Sequence, residues 1–219
     1  NNRPDVSPES REKVRQAIDE MGYRPSMLAT SLRTGRTRTI GVIIQDITSP
    51  FFGQVIRGCG DHLYEAGYNL ILCAANEDLE KEKRHLEMLV SRGVDGLIMF
   101  GCRSSSEVVA SIVSDHIPIV AENSYANLNN MTIINLDNVN GASMAVRHLL
   151  DMGHRRIGYM NGPANRMATN NRIIGYRQTL EEAGIPFAPN LVSYSAPSIH
   201  GGYRAALSLL PAQRPTALF

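Results

Sequence analysis

At 219 residues, with 43% hydrophobic and 20% charged residues, the chain can bury a sizeable core as one large domain or two modest ones. Formal net charge is only +1, yet the first 38 residues hold eight Lys/Arg against five Asp/Glu, an asymmetry that suits a polyanion, a solvated charged face being the alternative. Cys59, Cys73 and Cys102 fit no zinc or redox spacing and read as buried or incidental thiols in a reducing compartment, and no stretch approaches the roughly 18 apolar residues of a membrane span or shows the apolar run of a secretory leader.

In chain order, the first predicted helix is well signalled. Ser7 can cap it, Pro8 suits its first turn, Glu9 favours its positive end, and Gly22 suits a left-handed stop. Val14, Ala17, Ile18 and Met21 form its apolar face at spacings of three and four. Pro25 breaks the chain, and a short helix pattern then runs from Ser26 to Gly35, too short to form alone in water without a partner.

From Thr39 the texture changes to apolar runs alternating with amphipathic stretches. Strands are expected at 39–44, 69–73, 96–100, 117–121, 132–136, 156–160, 190–194 and 216–219, and helices at 52–66, 79–92, 105–115, 139–152, 170–183 and 200–210. Continuous apolar strands separated by such helices predict parallel sheets of βαβ units, so the fold class is α/β. The pattern nearly repeats, with MGYRP before IGVII and MGHRRIGYMNGP after the helix at 139–152. Two similar halves with a crossover near Leu136 and Asp137 imply a cleft between them, with ligands at the carboxyl ends of the strands. The second half has three candidate strands where the first has more and stops inside an apolar run. The chain is therefore expected to be a piece of a longer protein, one whose second sheet would expose an edge when isolated.

Two segments carry candidate binding chemistry. In QDITSPFF, after the first strand, Phe51 and Phe52 can stack on the C–H faces of a small polar ring while Asp46 or Ser49 hydrogen-bonds its hydroxyls. The alternative is that both Phe are ordinary core residues. In NGPANRMATNNRIIGYR, Arg166 and Arg172 follow a strand, and Arg172 near a helix start can clamp a carboxylate, phosphate or vicinal diol, both Arg being plain surface residues in the alternative. Asn123, after the strand at 117–121, would face the same cleft. No dinucleotide fingerprint, Walker loop or nucleophile elbow is present, and the six His pair with no acid or Cys at ligand spacing. No enzyme activity, cofactor or metal is expected.

Taken together, VSPESREKV, IDEMGYRP, LRTGRTRTIGVIIQDITSPFF, EKEKRHLEMLVSRGVDGLI, DNVNGASMAVRHLLDMGHRRIGYMNGP and NRIIGYRQTLEEAGI resemble the LacI/GalR family of bacterial transcription regulators, from about Val6 to Phe219. The resemblance implies a cytoplasmic, nucleoid-associated homodimer whose helix-turn-helix head enters the DNA major groove, joined by a hinge helix to a two-part, periplasmic-binding-protein-like core. On that pattern residues 1–24 are the end of the head, 25–38 the hinge and linker, 39–136 the first effector-binding subdomain, and 137–219 the second, incomplete. Leu32 matches the leucine that the family's hinge helix wedges into the minor groove, with Ala29 and Arg33 flanking it and Thr30 standing where Arg is frequent.

Ser49, Phe51, Phe52 and Arg172 fall on the family's effector contacts. Asn123 lies where Asp is common, Ser124 where Arg is frequent, and Pro197 near the place of a capping aromatic, departures that argue against a simple hexose or pentose. The implied function is a repressor whose sugar-like effector controls operator binding through the hinge. The rival reading is a solute-binding protein with no DNA function.

Overall fold

The structure is a computed structural model that describes residues 7–22, 31 and 33–219. Helix α1 (Pro8–Glu20) begins as its sequence predicts: the Ser7 hydroxyl accepts from the Ser10 amide, Pro8 opens the first turn, and Gly22 takes φ 57° after the last one. None of its residues is buried, so the apolar face that includes Val14 and Ile18 lies open.

The core begins at β1 (Thr39–Ile44), followed by α2 (Pro50–Glu65), β2 (Asn69–Ala74), α3 (Leu79–Ser91), β3 (Gly96–Phe100), α4 (Ser106–Ile112), β4 (Ile119–Glu122) and β5 (Met131–Ile134). These five strands form one parallel sheet in the order β2-β1-β3-β4-β5. Val42, Ile43 and Ile44 are at most 1% exposed, which explains why β1 reads as an unbroken apolar run instead of an alternating one. On α3, Glu82, Leu86 and Leu89 lie at spacings of four and three and are all buried, the leucines joining Ile43, Leu97, Met99 and Ile119 in the core.

The second unit comprises α5 (Asn138–Asp151), β6 (Ile157–Asn161), α6 (Met167–Glu182), β7 (Val192–Tyr194), α7 (Ile199–Gln213) and β8 (Ala217–Leu218). Its three parallel strands lie in the order β7-β6-β8. Helices α5 and α6 approach closely at Gly175, where an added methyl would strike the Val139 carbonyl. Tyr159 stacks on Phe219 with 4.7 Å between centroids and lies 5.0 Å from Tyr176, whose hydroxyl donates to the Ile157 carbonyl. Burial pushes both phenols up, Tyr176 to about 12, so they remain protonated donors.

The expected elements form with small shifts that have local causes. β4 starts at Ile119, because Pro118 has no N–H and contributes only its carbonyl, to Leu97. The expected strand at 190–194 shortens to Val192–Tyr194, since Pro189 opens a 3-10 turn closed by the Leu191 amide on the Ala188 carbonyl. All three cysteines are free, and burial raises their thiol pKa values, most of all at Cys102.

Candidate functional site

In the first sheet the chain crosses from β1 outward to β2 and back to β3, which leaves a crevice beyond the carboxyl ends of β1 and β3. The β6 unit faces that crevice and closes a cleft of about 350 Å³. Gln45, Phe51, Phe52, Glu77, Gly101, Glu122, Asn123 and Tyr125 line it from one side, and Gly162, Arg166, Met167, Thr169, Arg172 and Pro197 from the other.

The sequence-predicted residues divide clearly. Phe51, Phe52, Asn123, Arg166 and Arg172 converge on the cleft. Phe51 and Phe52 meet edge to face at 5.2 Å, and Phe52 meets Phe100 the same way at 6.1 Å. Phe51 is 52% exposed and Phe52 half-buried, so neither is an ordinary core residue. Asp46 and Ser49 stand behind this wall: the Asp46 carboxylate accepts from the amide and hydroxyl of Thr48, and Ser49 is the first residue before α2. Ser124 is buried, its hydroxyl accepting from the Ala126 amide. Of the DNA-contact candidates, Ala29 and Leu32 lie outside the described residues, and Arg33 is exposed.

Arg166 does more than face the cleft. It crosses it, with Nε on Glu77 Oε2 at 3.1 Å, Nη1 on the Gly101 carbonyl at 2.7 Å, and Nη2 paired with Glu77 Oε1. Tyr125 makes a second crossing through its hydroxyl to the Asn165 carbonyl at 3.0 Å. Arg172 lines the cleft, its Nε donating to Asn138 Oδ1 at 2.8 Å. Glu122 accepts from the Asn123 side chain, and burial raises its carboxyl pKa, opposed by the Arg172 charge and the Gly101 amide.

Beneath the cleft floor runs a buried polar network. The Glu82 carboxyl, 1% exposed, accepts from the amides of Arg103 and Ser104 at 2.9–3.1 Å and from Gln45 Nε2 at 3.3 Å. Gln45 Oε1 in turn accepts from the Glu77 amide. Glu77 and Asn76 both take positive φ, as do Gly101 and Asn123, so three strand ends around the cleft carry backbone in a region that non-glycine residues occupy at a cost. Helices α2 and α6, whose first turns face the cleft, begin without a side-chain cap bond, whereas α1, α3, α4, α5 and α7 each have one. At α6 the cap position is Arg166, which has no acceptor to offer and reaches across to Glu77 instead.

Gln45, Glu77, Glu122, Tyr125 and Thr169 were not among the sequence candidates. Gln45 and Glu122 could have been found as polar residues that end apolar runs, but Glu77 sits in an unpatterned turn 89 residues from its partner. Among the described residues no group of three or more His, Cys, Asp or Glu could hold a metal, and no helix is long and apolar enough to cross a membrane.

Known proteins share this fold. The family described as periplasmic binding proteins and sugar binding domain of LacI family matches residues 37–219. The HTH-type transcriptional regulator DegA of Bacillus subtilis is 32% identical over the whole of this chain and 66% of its own length. The HTH-type transcriptional repressor PurR of Haemophilus influenzae is 34% identical over 98% of this chain and 64% of its own. The chain thus spans just under two thirds of these relatives, which are named as transcription regulators and not as enzymes. Among solved structures, a LacI family transcriptional regulator from Enterococcus faecium with bound ribose superposes with a TM-score of 0.71 at 29% identity, covering 83% of this chain and 66% of that one. With the family description matched along both sheets and the cleft, the chain belongs to the periplasmic-binding-protein and LacI sugar-binding-domain family.

Proposed function

We propose that this chain is the effector-binding core and linker of a DNA-binding transcriptional repressor, controlled by a small polar, sugar-like effector held between its two units. The observation that carries this reading is the cleft itself, which Phe51 and Phe52 line on one wall and the Arg172 guanidinium side chain on the other. An aromatic surface suits the apolar face of a ring, and a planar guanidinium suits adjacent oxygens on its rim. Asn123, Glu122 and Thr169 add acceptors and donors around it. Asp46 and Ser49 act behind these contacts, shaping the turn that presents Phe51.

In the complete protein, residues 1–24 end a helix-turn-helix head, 25–38 form hinge and linker, and 39–136 and 137–219 form the two halves of the core. The regulator works as a homodimer on operator DNA in the cytoplasm, at the nucleoid. Its hinge places Leu32 in the minor groove, flanked by Ala29 and Arg33. The named regulators among the relatives, and the ribose-bound structure, support this assignment.

The test is a thermal-shift panel on the full-length protein with ribose, xylulose, glucose and cellobiose, beside selection of DNA from a random-sequence duplex library. A ligand that raises the melting temperature should lose that effect in Arg172→Ala, while affinity for the selected duplex stays within about threefold. Equal loss of both functions, or a wild type that selects no DNA, counts against the reading. The second outcome favours a solute-binding protein.

A further inference from the structure

At the opposite end of the first sheet from the cleft, the chain from Arg33 to Arg38 leaves the core almost wholly exposed, with only Thr37 half-buried. Apolar packing therefore does not fix its direction. A carboxylate takes hold of it: that of Asp95, the residue before β3. Its Oδ1 accepts from the Thr37 amide at 2.8 Å and the Thr37 hydroxyl at 3.1 Å, and its Oδ2 accepts from the Arg38 amide at 2.9 Å. The Thr37 hydroxyl also reaches the Gly93 carbonyl at 2.8 Å, with Gly93 at φ 70°. Two successive backbone N–H groups thus close around one carboxylate, and Arg38 takes φ 50°, a left-handed turn that a non-glycine residue adopts only when its surroundings impose it. Behind the turn the ladder starts at once, the Asp95 amide donating to the Thr39 carbonyl and the Asn69 amide to the Arg38 carbonyl, both at 2.8 Å.

The strand that carries Asp95 runs straight to the cleft. β3 is the central strand, and just past its other end, six residues after Asp95, is Gly101, whose carbonyl accepts from Arg166 of the second unit. The intervening segment is about 17 Å of paired, largely buried strand. One rigid element therefore ends on the second unit at one side and on the linker at the other.

We propose that Asp95 is a positioning residue for DNA binding: its carboxylate fixes the direction in which the linker leaves the core, and so where the DNA-contacting segment is presented. This rests on the regulator reading above and adds to it the residue that joins core to linker. A carboxylate at this place, with both oxygens accepting, cannot be replaced by an amide, because Asn would turn an NH2 toward one of the same amides.

The experiment compares full-length wild type with Asp95→Asn, Thr37→Val and Thr37→Ser, using the duplex that wild type selects most strongly from a random-sequence library. Amide exchange in 33–38, thermal melting and duplex affinity are measured together. Asp95→Asn should speed exchange at Thr37 and Arg38 and lower duplex affinity, each by about tenfold or more, with melting within about 3 °C of wild type. Thr37→Val, which keeps the amide and loses the hydroxyl, should fall between, and Thr37→Ser should match wild type.

Faster exchange in Asp95→Asn with unchanged duplex affinity overturns the assignment, as does unchanged exchange. If Asp95→Asn fails to fold, Thr37→Val decides by the same two readouts. A wild type that selects no duplex overturns the regulator reading and the assignment with it, an outcome distinct from a variant that behaves like a DNA-binding wild type.

Discussion

The two ends of the first sheet solve different problems with the same elements. At the carboxyl end, Asn76, Glu77, Gly101 and Asn123 take positive φ, α2 and α6 start without side-chain caps, and polar groups from both units meet across a cleft. At the amino end, one carboxylate gathers an exposed linker, and among the described residues there the one non-glycine residue at positive φ is Arg38. A cleft that must accept a ligand keeps hydrogen-bonding capacity uncommitted, and its strained backbone is tolerated because the sheet beneath it is rigid. A linker that must hold one direction has two successive amides, those of Thr37 and Arg38, engaged by one carboxylate.

The largest expected effect comes from removing the support beneath the cleft. Both Glu82 oxygens accept from backbone amides, so Glu82→Gln places an NH2 against Arg103 or Ser104 in a buried site. The cost should be about 2–4 kcal/mol, read as a lowered midpoint of denaturation. Amide exchange should rise first at Gln45, Glu77 and Arg103. A variant as stable as wild type would show that the strained cleft rim does not depend on this network.

A paired substitution sharpens the comparison further. Glu77 and Arg38 share left-handed backbone, at φ 65° and 50°, and glycine relieves both. Arg38→Gly should raise stability by about 0.5 kcal/mol, since the Asp95 bond uses the backbone amide that glycine keeps. Glu77→Gly should lower it by about 1 kcal/mol, because the ion pair to Arg166 is lost while the Gly101 carbonyl bond remains. Matching thermal melts would measure the difference, and equal signs would mean that the crossing contact contributes nothing at this end.

These contrasts also mark what the sequence could tell. β1 and β3 are readable as uninterrupted apolar runs because both their faces are covered, and α1 by its Ser7 cap and spaced apolar residues. Phe51, Phe52 and Arg172 are readable as side chains whose chemistry is out of place unless a ligand is near. Arg166 is half readable: a cation beside a strand end points to the cleft, but nothing local reveals that it belongs to Glu77 on the other unit. Asp46 is legible as a polar residue at a strand end, but its bonds to the amide and hydroxyl of Thr48 carry no sequence signal of their own. Asp95 gives no pattern at all. Its role lies in two amides 57 and 58 residues earlier, and only the parallel register of β1 and β3 brings them to it.

The smallest effect tests the charge balance inside the cleft. Burial raises the Glu122 carboxyl pKa above its usual value, with Arg172 and the Gly101 amide pulling the other way. The folded protein therefore binds this proton more tightly than the unfolded chain does. Stability from Glu122 is complete below the unfolded carboxyl's range near pH ~4 and falls as pH rises through the raised folded value. Glu122→Gln carries no titrating group and still offers Oε1 to the Asn123 amide, so it lacks this slope. Its melting temperature should match wild type at pH ~4 and exceed it by about one or two degrees at pH ~7. A gap of the opposite sign would mean that the Arg172 charge outweighs burial at Glu122, and that the two side chains neutralise each other inside the cleft.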